Sequence, residues 1–200
     1  MSRLAEVRKN AANYLTRPVV KFLSRTPVTP DTITWLGFLL TVGAAVLIVT
    51  GNLIAAGLVV LFAGFMDMLD GALARHTNRT TRFGAVLDST LDRLAEAALL
   101  LGILVLFARQ QMVAECFLAG ITLLGSLMVS YVRARIEGIG LECKVGFFTR
   151  PERVIILALG LLLGSIDYIL IIALAIISLL SFYTMVQRLL YAYRQTKDKR

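Results

Sequence analysis

Residues 67–92 read DMLDGALARHTNRTTRFGAVLDSTLD, and this stretch decides how the rest of the chain is interpreted. Asp67 and Asp70 stand three positions apart, and Asp88 and Asp92 stand four positions apart. Because residues at these spacings share one face of a helix, each pair presents both carboxylates to the same side. Both pairs are embedded in apolar sequence, so the stretch predicts two apolar helices that meet at a carboxylate cluster.

Four carboxylates in apolar helices need a shared explanation. An ionised Asp at the centre of a membrane helix costs about 2.5–3.5 kcal/mol on insertion scales. Carboxylate oxygens are preferred ligands of hard divalent cations, so four of them from adjacent helices suit one or two Mg²⁺-like ions. The alternative is four separate salt bridges, which would leave Gly71 and Gly84 without a role. Their partners would be Arg75, Arg79, Arg82 and Arg93.

The composition is that of a membrane protein. Hydrophobic residues make up 58% of the 200 residues, and the mean hydropathy is +0.77. Both values are too high for a soluble domain of this length, and the apolar runs are long enough to cross a bilayer. The net charge of +8 therefore indicates membrane topology and contact with anionic lipid, and no nucleic acid partner is expected.

The hydrophobic pattern predicts an all-α integral membrane fold with six transmembrane helices. Residues 1–25 predict a juxtamembrane amphipathic helix, and residues 26–200 predict the six-helix domain. The run from Val154 to Val186 is long enough for two spans, with a turn near Gly164. The expected spans are 32–50, 53–74, 83–107 and 112–136, followed by two within 154–186.

Positive charge predicts the orientation. Of the 21 Lys and Arg residues, only Arg109 falls on the predicted outer side. Since cytoplasmic segments carry the excess of positive charge, both termini and the Asp cluster are expected at the cytoplasmic face of the cell membrane. Glycines within the spans favour close helix packing, including a possible homodimer.

The motif D-x2-D-G-x2-A-R-x8-G-x3-D-x3-D, from Asp67 to Asp92, resembles the signature of the CDP-alcohol phosphatidyltransferase family at every fixed position. The resemblance implies that Asp67, Asp70, Asp88 and Asp92 bind two Mg²⁺ or Mn²⁺ ions and that Asp92 is also the general base. It further implies a CDP-linked lipid donor, either CDP-diacylglycerol or an ether-lipid analogue, with CMP as the leaving group.

The same resemblance assigns the start of the first span to the donor pocket. The structural alternative is a simple helix start, because Thr29 can cap the helix and Pro30 suits its first turn. The residues that the resemblance implies for CDP-lipid binding are Pro30, Asp31, Thr32, Ile33, Thr34, Gly71, Ala74, Arg75 and Thr81.

Basic residues around the loop between the fourth and fifth spans form the candidate acceptor site. Four arginines at two facing helix ends suit a phosphate, although the positive-inside rule alone also explains them. The surrounding sequence resembles the prokaryotic branch of the family that uses inositol 1-phosphate, with glycerol 3-phosphate as the runner-up acceptor. The candidate residues are Ser130, Arg133, Arg135, Arg150 and Arg153.

A cation channel or transporter is the alternative from another functional class. A permeation path needs polar residues through the whole depth of the membrane. Here the acidic residues cluster in the predicted cytoplasmic half, and the outer half is almost unbroken apolar sequence. The sequence therefore favours the metal-dependent enzyme, with Glu96 as a helix-interface residue or a support for the metal ligands.

Overall fold

The computed structural model describes residues 16–77, 79–143, 145–164, 166 and 168–197. These residues contain no strand, which confirms the all-α class, and they form a helical segment at 16–23 and six further helices. The six are α1 (Pro30–Val49), α2 (Leu53–His76), α3 (Arg82–Arg109), α4 (Val113–Gly138), α5 (Arg150–Leu162) and α6 (Ile169–Lys197).

Four of the six helices are long and apolar enough to cross a membrane, namely α1, α2, α4 and α6. Helix α3 has 28 residues, but Asp92, Arg93 and Glu96 lie within it. Helix α5 has 13 residues, which is about 20 Å of helix. The predicted turn near Gly164 lies between α5 and α6, as expected. Of the predicted juxtamembrane helix, residues 1–15 lie outside the described residues.

The bundle is held together by one large apolar cluster to which all six helices contribute. Helix α1 packs against α2 and α3, α4 packs against α3 and α6, and α5 packs against α2 and α6. Close approach is built in at Gly102 of α3, where an added Cβ would lie 2.9 Å from the carbonyl oxygen of Ala45. These contacts bring the ends of α2, α3 and α5 together, and that junction holds the Asp motif.

Three helices begin with a threonine cap near this junction. The Thr29 and Thr81 side chains accept hydrogen bonds from the backbone N–H groups of Thr32 and Gly84. Thr149 and Glu152 form a capping box at the start of α5. Because a cap fixes where a helix begins, the three caps set the register at which polar side chains from different helices meet.

A buried ion pair joins α3 to α5. Nε of Arg153 lies 2.6 Å from Oε1 of Glu96, and Nη2 of the same guanidinium lies 2.8 Å from Oε2. Both residues are buried, with 1% of Arg153 and 6% of Glu96 exposed. The pair leaves neither charge alone in the apolar core and sets the angle at which α5 enters the junction.

We predict that Glu96→Gln destabilises the bundle, because it leaves the Arg153 charge buried without a counter-ion. Losing one partner of a buried pair costs about 3–5 kcal/mol. The matched control is Glu137→Gln, which breaks the half-exposed Arg133–Glu137 pair and should cost no more than about 1 kcal/mol. Thermal unfolding of both variants in detergent would measure this, and equal effects would show that burial of the pair is unimportant.

Candidate functional site

Three of the four motif carboxylates form one compact group. Oxygens of Asp67, Asp70 and Asp88 all lie within 4.8 Å of one another, although the residues come from two helices. Like charges at this separation repel strongly, and an arrangement of hard oxygen donors suits a divalent cation. The residues present therefore fit the metal ions predicted from the sequence.

Asp70 is the most firmly held of the three. It is 5% exposed, and Oγ1 of Thr34 on α1 donates to its Oδ2 across 2.7 Å. The backbone N–H of Gly71 donates to its other oxygen, Oδ1. Oγ1 of Thr34 also lies 3.1 Å from the carbonyl oxygen of Pro30, which places the hydroxyl at the first turn of α1. Thr34 therefore orients a carboxylate of the metal group from a second helix.

The two motif glycines leave room for neighbouring polar groups. A Cβ on Gly71 would lie 3.3 Å from Nη1 of Arg75. A Cβ on Gly84 would lie 2.9 Å from Oγ1 of Thr81, the hydroxyl that caps α3. Glycine at position 84 thus leaves room for the Thr81 cap, and glycine at position 71 lets the Arg75 guanidinium approach the backbone closely.

Asp92 joins the group through a cation from α5. Nη1 of Arg150 lies 2.8 Å from Oδ2 of Asp67 and 2.7 Å from Oδ2 of Asp92. Among the described residues, Arg150 is the only cation that forms an ion pair with a motif carboxylate. The motif carboxylates do not form the four salt bridges that the alternative requires. Among the described residues, none of them pairs with Arg75, Arg79, Arg82 or Arg93.

A cavity of about 150 Å³ opens beside the metal group, between the starts of α1 and α3 and the end of α2. We call it the donor cavity, and seven of the nine residues predicted to bind the CDP-lipid line it: Pro30, Asp31, Thr34, Gly71, Ala74, Arg75 and Thr81. Thr32 and Ile33 do not line it, because the Thr32 hydroxyl pairs with Thr29 and Ile33 is packed among apolar residues. Arg79 and Thr80 line it although the sequence analysis did not select them.

An apolar groove of about 260 Å³ begins at Asp67 and Arg150 and runs between α2, α3 and α5. Val60, Leu61 and Phe65 form much of its wall. Since the groove joins the carboxylate group to the lipid-facing part of the bundle, it suits the chain of a lipid whose polar end lies at the metals.

A cavity of about 520 Å³ lies on the other side of Asp92 and is lined by five arginines. We call it the arginine cavity; its cations are Arg93, Arg133, Arg150, Arg153 and Arg188, and Ser130 adds a hydroxyl. Of the predicted acceptor residues, Arg135 alone does not line the cavity; it is exposed on α4. The electrostatics and size of the cavity suit a phosphorylated small molecule.

Arg188 also lines the arginine cavity, although the sequence analysis did not select it. It is 3% exposed, and its guanidinium donates to the carbonyl oxygens of Val129 (2.7 Å) and Val145 (3.1 Å). No described carboxylate pairs with it. Its position among apolar residues of α6 is the signal that could have found it, because a charge inside a membrane helix marks a functional site.

Known proteins are similar to this chain over most of its length. The family model of CDP-alcohol phosphatidyltransferases matches residues 27–190. The archaetidylinositol phosphate synthase of Methanothermobacter thermautotrophicus is 38% identical over 192 residues, which cover 90% of this chain and 94% of that protein. The phosphatidylinositol phosphate synthase of Mycobacterium tuberculosis is 38% identical over 196 residues, which cover 94% and 90%.

Solved structures of the Mycobacterium tuberculosis enzyme have the same fold. The complex with CDP-DAG superimposes with a TM-score of 0.83 at 36% identity and covers 90% of this chain and 94% of that one. The complex with manganese and citrate gives a TM-score of 0.81 at 37% identity, with coverage of 89% and 88%.

We predict that Thr34→Val weakens Mn²⁺ binding by about ten- to a hundredfold, the usual effect of removing a hydrogen bond that orients a metal ligand. Thr34→Ser keeps the hydroxyl and should retain most of the affinity. Calorimetric titration of the purified protein with Mn²⁺ would measure both. Equal affinities for the valine and serine variants would mean that the Thr34 hydroxyl does not position Asp70.

Proposed function

Because this chain belongs to the CDP-alcohol phosphatidyltransferase family, we propose that it transfers a phosphatidyl group, or its ether-lipid equivalent, from a CDP-linked lipid to inositol 1-phosphate. The products are a phosphatidylinositol phosphate and CMP. The observation that carries the acceptor assignment is the arginine cavity, which adjoins Asp92 and so brings a phosphate site to the carboxylate group. Similarity to named inositol phosphate enzymes supports the same assignment.

Asp67, Asp70 and Asp88 would hold Mg²⁺ or Mn²⁺, with Asp92 as the further ligand that the family motif implies. Bound divalent ions would neutralise the charge of the pyrophosphate and of the leaving CMP. The protein's own contribution is to fix the carboxylates: Thr34 holds Asp70 from α1, and the capped start of α3 fixes Asp88.

The donor would bind across two of the three sites. Its cytidine and phosphates would occupy the donor cavity, where Arg75 can form two hydrogen bonds to a phosphate. Its apolar chains would leave through the groove between α2, α3 and α5, which begins at Asp67. This arrangement would place the lipid-side phosphorus beside Asp92, between the donor cavity and the arginine cavity.

The acceptor phosphate would bind in the arginine cavity, mainly to Arg188 and Ser130, with the Arg133 nitrogens that are not paired with Glu137 beside them. Arg188 is the strongest candidate, because its buried charge has no carboxylate partner among the described residues. Arg153 already gives two of its nitrogens to Glu96, so only Nη1, which has no hydrogen-bond partner, remains for an anion.

The transfer step would begin at Asp92. Its carboxylate would take the proton of an inositol hydroxyl, and the hydroxyl oxygen would form a bond to the lipid-side phosphorus. The bond from that phosphorus to the oxygen of CMP would break, and CMP would leave with the electron pair. Asp92 suits this role because it lines the arginine cavity and shares an ion-pair partner, Arg150, with Asp67 of the metal group.

We further propose six spans, with α3 and α5 crossing the membrane as a pair. Arg150 and Arg153 of α5 would neutralise Asp92 and Glu96 of α3, so neither helix would expose an unpaired charge to lipid. The positive-inside distribution supports placing the Asp group at the cytoplasmic face of the cell membrane with both termini on that side. The exposed apolar faces of the helices leave room for lipid contacts and for a homodimer.

The decisive experiment measures CMP release by the purified protein with CDP-diacylglycerol and a panel of acceptors. We expect Mg²⁺- or Mn²⁺-dependent release with inositol 1-phosphate, complete loss in EDTA, and loss of about 10²-fold or more in Asp92→Asn. Faster release with glycerol 3-phosphate would reassign the acceptor. Equal activity with free inositol would show that the arginine cavity does not bind the acceptor phosphate.

We predict that Arg188→Gln raises the KM for inositol 1-phosphate about ten- to a hundredfold, the usual effect of losing one hydrogen bond to a charged group. The KM for the CDP-lipid should change little, because that substrate binds elsewhere. Arg135→Gln is the matched control, since Arg135 lies on α4 outside the cavity, and it should leave both KM values unchanged. Similar effects of the two variants on the acceptor KM would contradict the assignment.

A further inference from the structure

The guanidinium of Arg150 lies where all the sites meet. Its Nη1 donates to Oδ2 of Asp67 and forms an ion pair with Oδ2 of Asp92, and its side chain also lines the apolar groove and the arginine cavity. Asp67 belongs to the carboxylate group that fits a divalent ion, and Asp92 is the further ligand and base of the proposed function. The same positive charge can therefore serve the carboxylates or an anion in the arginine cavity.

A charged donor next to metal ligands can act in two opposite ways. A donor that is itself held in place orients its carboxylate and strengthens metal binding. A mobile cation instead pairs with the carboxylates, so it competes with the metal ion and weakens metal binding. The two roles predict opposite changes in metal affinity when the cation is removed, so they can be distinguished.

The hydrogen bonds of Arg150 favour the second role. Its Nε is buried and has no hydrogen-bond partner, so the two carboxylates are its only polar contacts among the described residues. Thr34 differs, because its hydroxyl lies within reach of both Asp70 and the carbonyl oxygen of Pro30. Arg153, one turn along α5, is fixed by two hydrogen bonds to Glu96 and can stay in place while Arg150 moves.

From these contacts we propose that Arg150 is a positioning residue that exchanges between the carboxylate pair and an anion in the arginine cavity. When Asp67 and Asp92 hold a divalent ion, the Arg150 guanidinium would no longer pair with them and would bind the phosphate of the acceptor. Metal binding and acceptor binding are therefore positively coupled, and each must strengthen the other by the same factor. This inference rests on the proposed metal and acceptor sites.

The coupling predicts an order within the catalytic cycle. Without a metal ion, Arg150 neutralises Asp67 and Asp92 and contributes little to anion binding. With the ion bound, the same charge is available to the acceptor, whose hydroxyl can then reach Asp92. Acceptor binding is thus favoured only when the carboxylates are ready for the reaction.

The test measures Mn²⁺ binding to the full-length protein in detergent by calorimetry, with and without saturating sulfate as the anion. Sulfate carries the charge of a phosphate without requiring that the acceptor be inositol 1-phosphate. In the wild type, sulfate should lower the Kd for Mn²⁺ about five- to a hundredfold, the usual range of such coupling. In Arg150→Gln, the Kd without sulfate should already be lower by a similar factor, and sulfate should not change it.

Two control variants test whether the positive charge of Arg150 itself causes the effect on Mn²⁺ binding. Arg150→Lys keeps the positive charge, so its Kd for Mn²⁺ and its response to sulfate should stay close to the wild type. Arg135→Gln removes a charge from the same end of the bundle, outside the arginine cavity, and should change neither value. A matching thermal unfolding curve for Arg150→Gln would show that the bundle remains folded.

Several results would overturn the inference. Weaker Mn²⁺ binding in Arg150→Gln would show that Arg150 orients the metal ligands, and coupling that persists in this variant would show that the anion acts without Arg150. Either result would leave the proposed metal site intact, provided that Asp70→Asn abolishes Mn²⁺ binding. Mn²⁺ binding that is absent from the wild type would overturn the metal site of the proposed function and this inference together.

Discussion

The junction between α2, α3 and α5 depends on arginines that neutralise carboxylates inside an apolar bundle. Three carboxylates lie within 4.8 Å of one another, and the ion pairs of Asp92 and Glu96 bring two arginines of α5 against α3. An isolated buried charge would cost several kcal/mol, so neither helix could keep its polar residues without the other. The position of α5, and with it the walls of the apolar groove and the arginine cavity, follows from this pairing.

The fold was largely predictable from the sequence, because helix boundaries in a membrane protein follow simple signals. Pro30 after Thr29 and the long apolar runs located the helices to within a few residues. Helix α5 was harder to define, because its apolar run continues past a turn at Leu163 and Gly164 towards α6. The hydrophobic pattern showed only that the run is long enough for two helices, and Gly164 indicated where the turn lies.

The candidate site was predictable where chemistry fixes the spacing of residues in one segment. The motif from Asp67 to Asp92 indicated the carboxylate group. Its glycines, Gly71 and Gly84, indicated that polar groups approach the backbone closely there. Contacts between distant segments were not predictable. Arg150 had been assigned to the acceptor alone, although it lies on two motif carboxylates 83 and 58 residues earlier in the chain. Arg188 comes from the last helix, and only the packing of α6 against α4 brings it to the cavity.

The buried guanidinium of Arg188 also affects how long the protein survives. It is held by the carbonyl oxygens of Val129 and Val145, and no described carboxylate neutralises it, so its charge lowers the stability of the bundle. Any anion that binds there restores part of that stability, since a ligand that binds only the folded state shifts the folding equilibrium towards it. Unfolded membrane protein is removed by cellular quality control, so a good supply of the phosphorylated acceptor would raise the steady-state amount of the protein that consumes it.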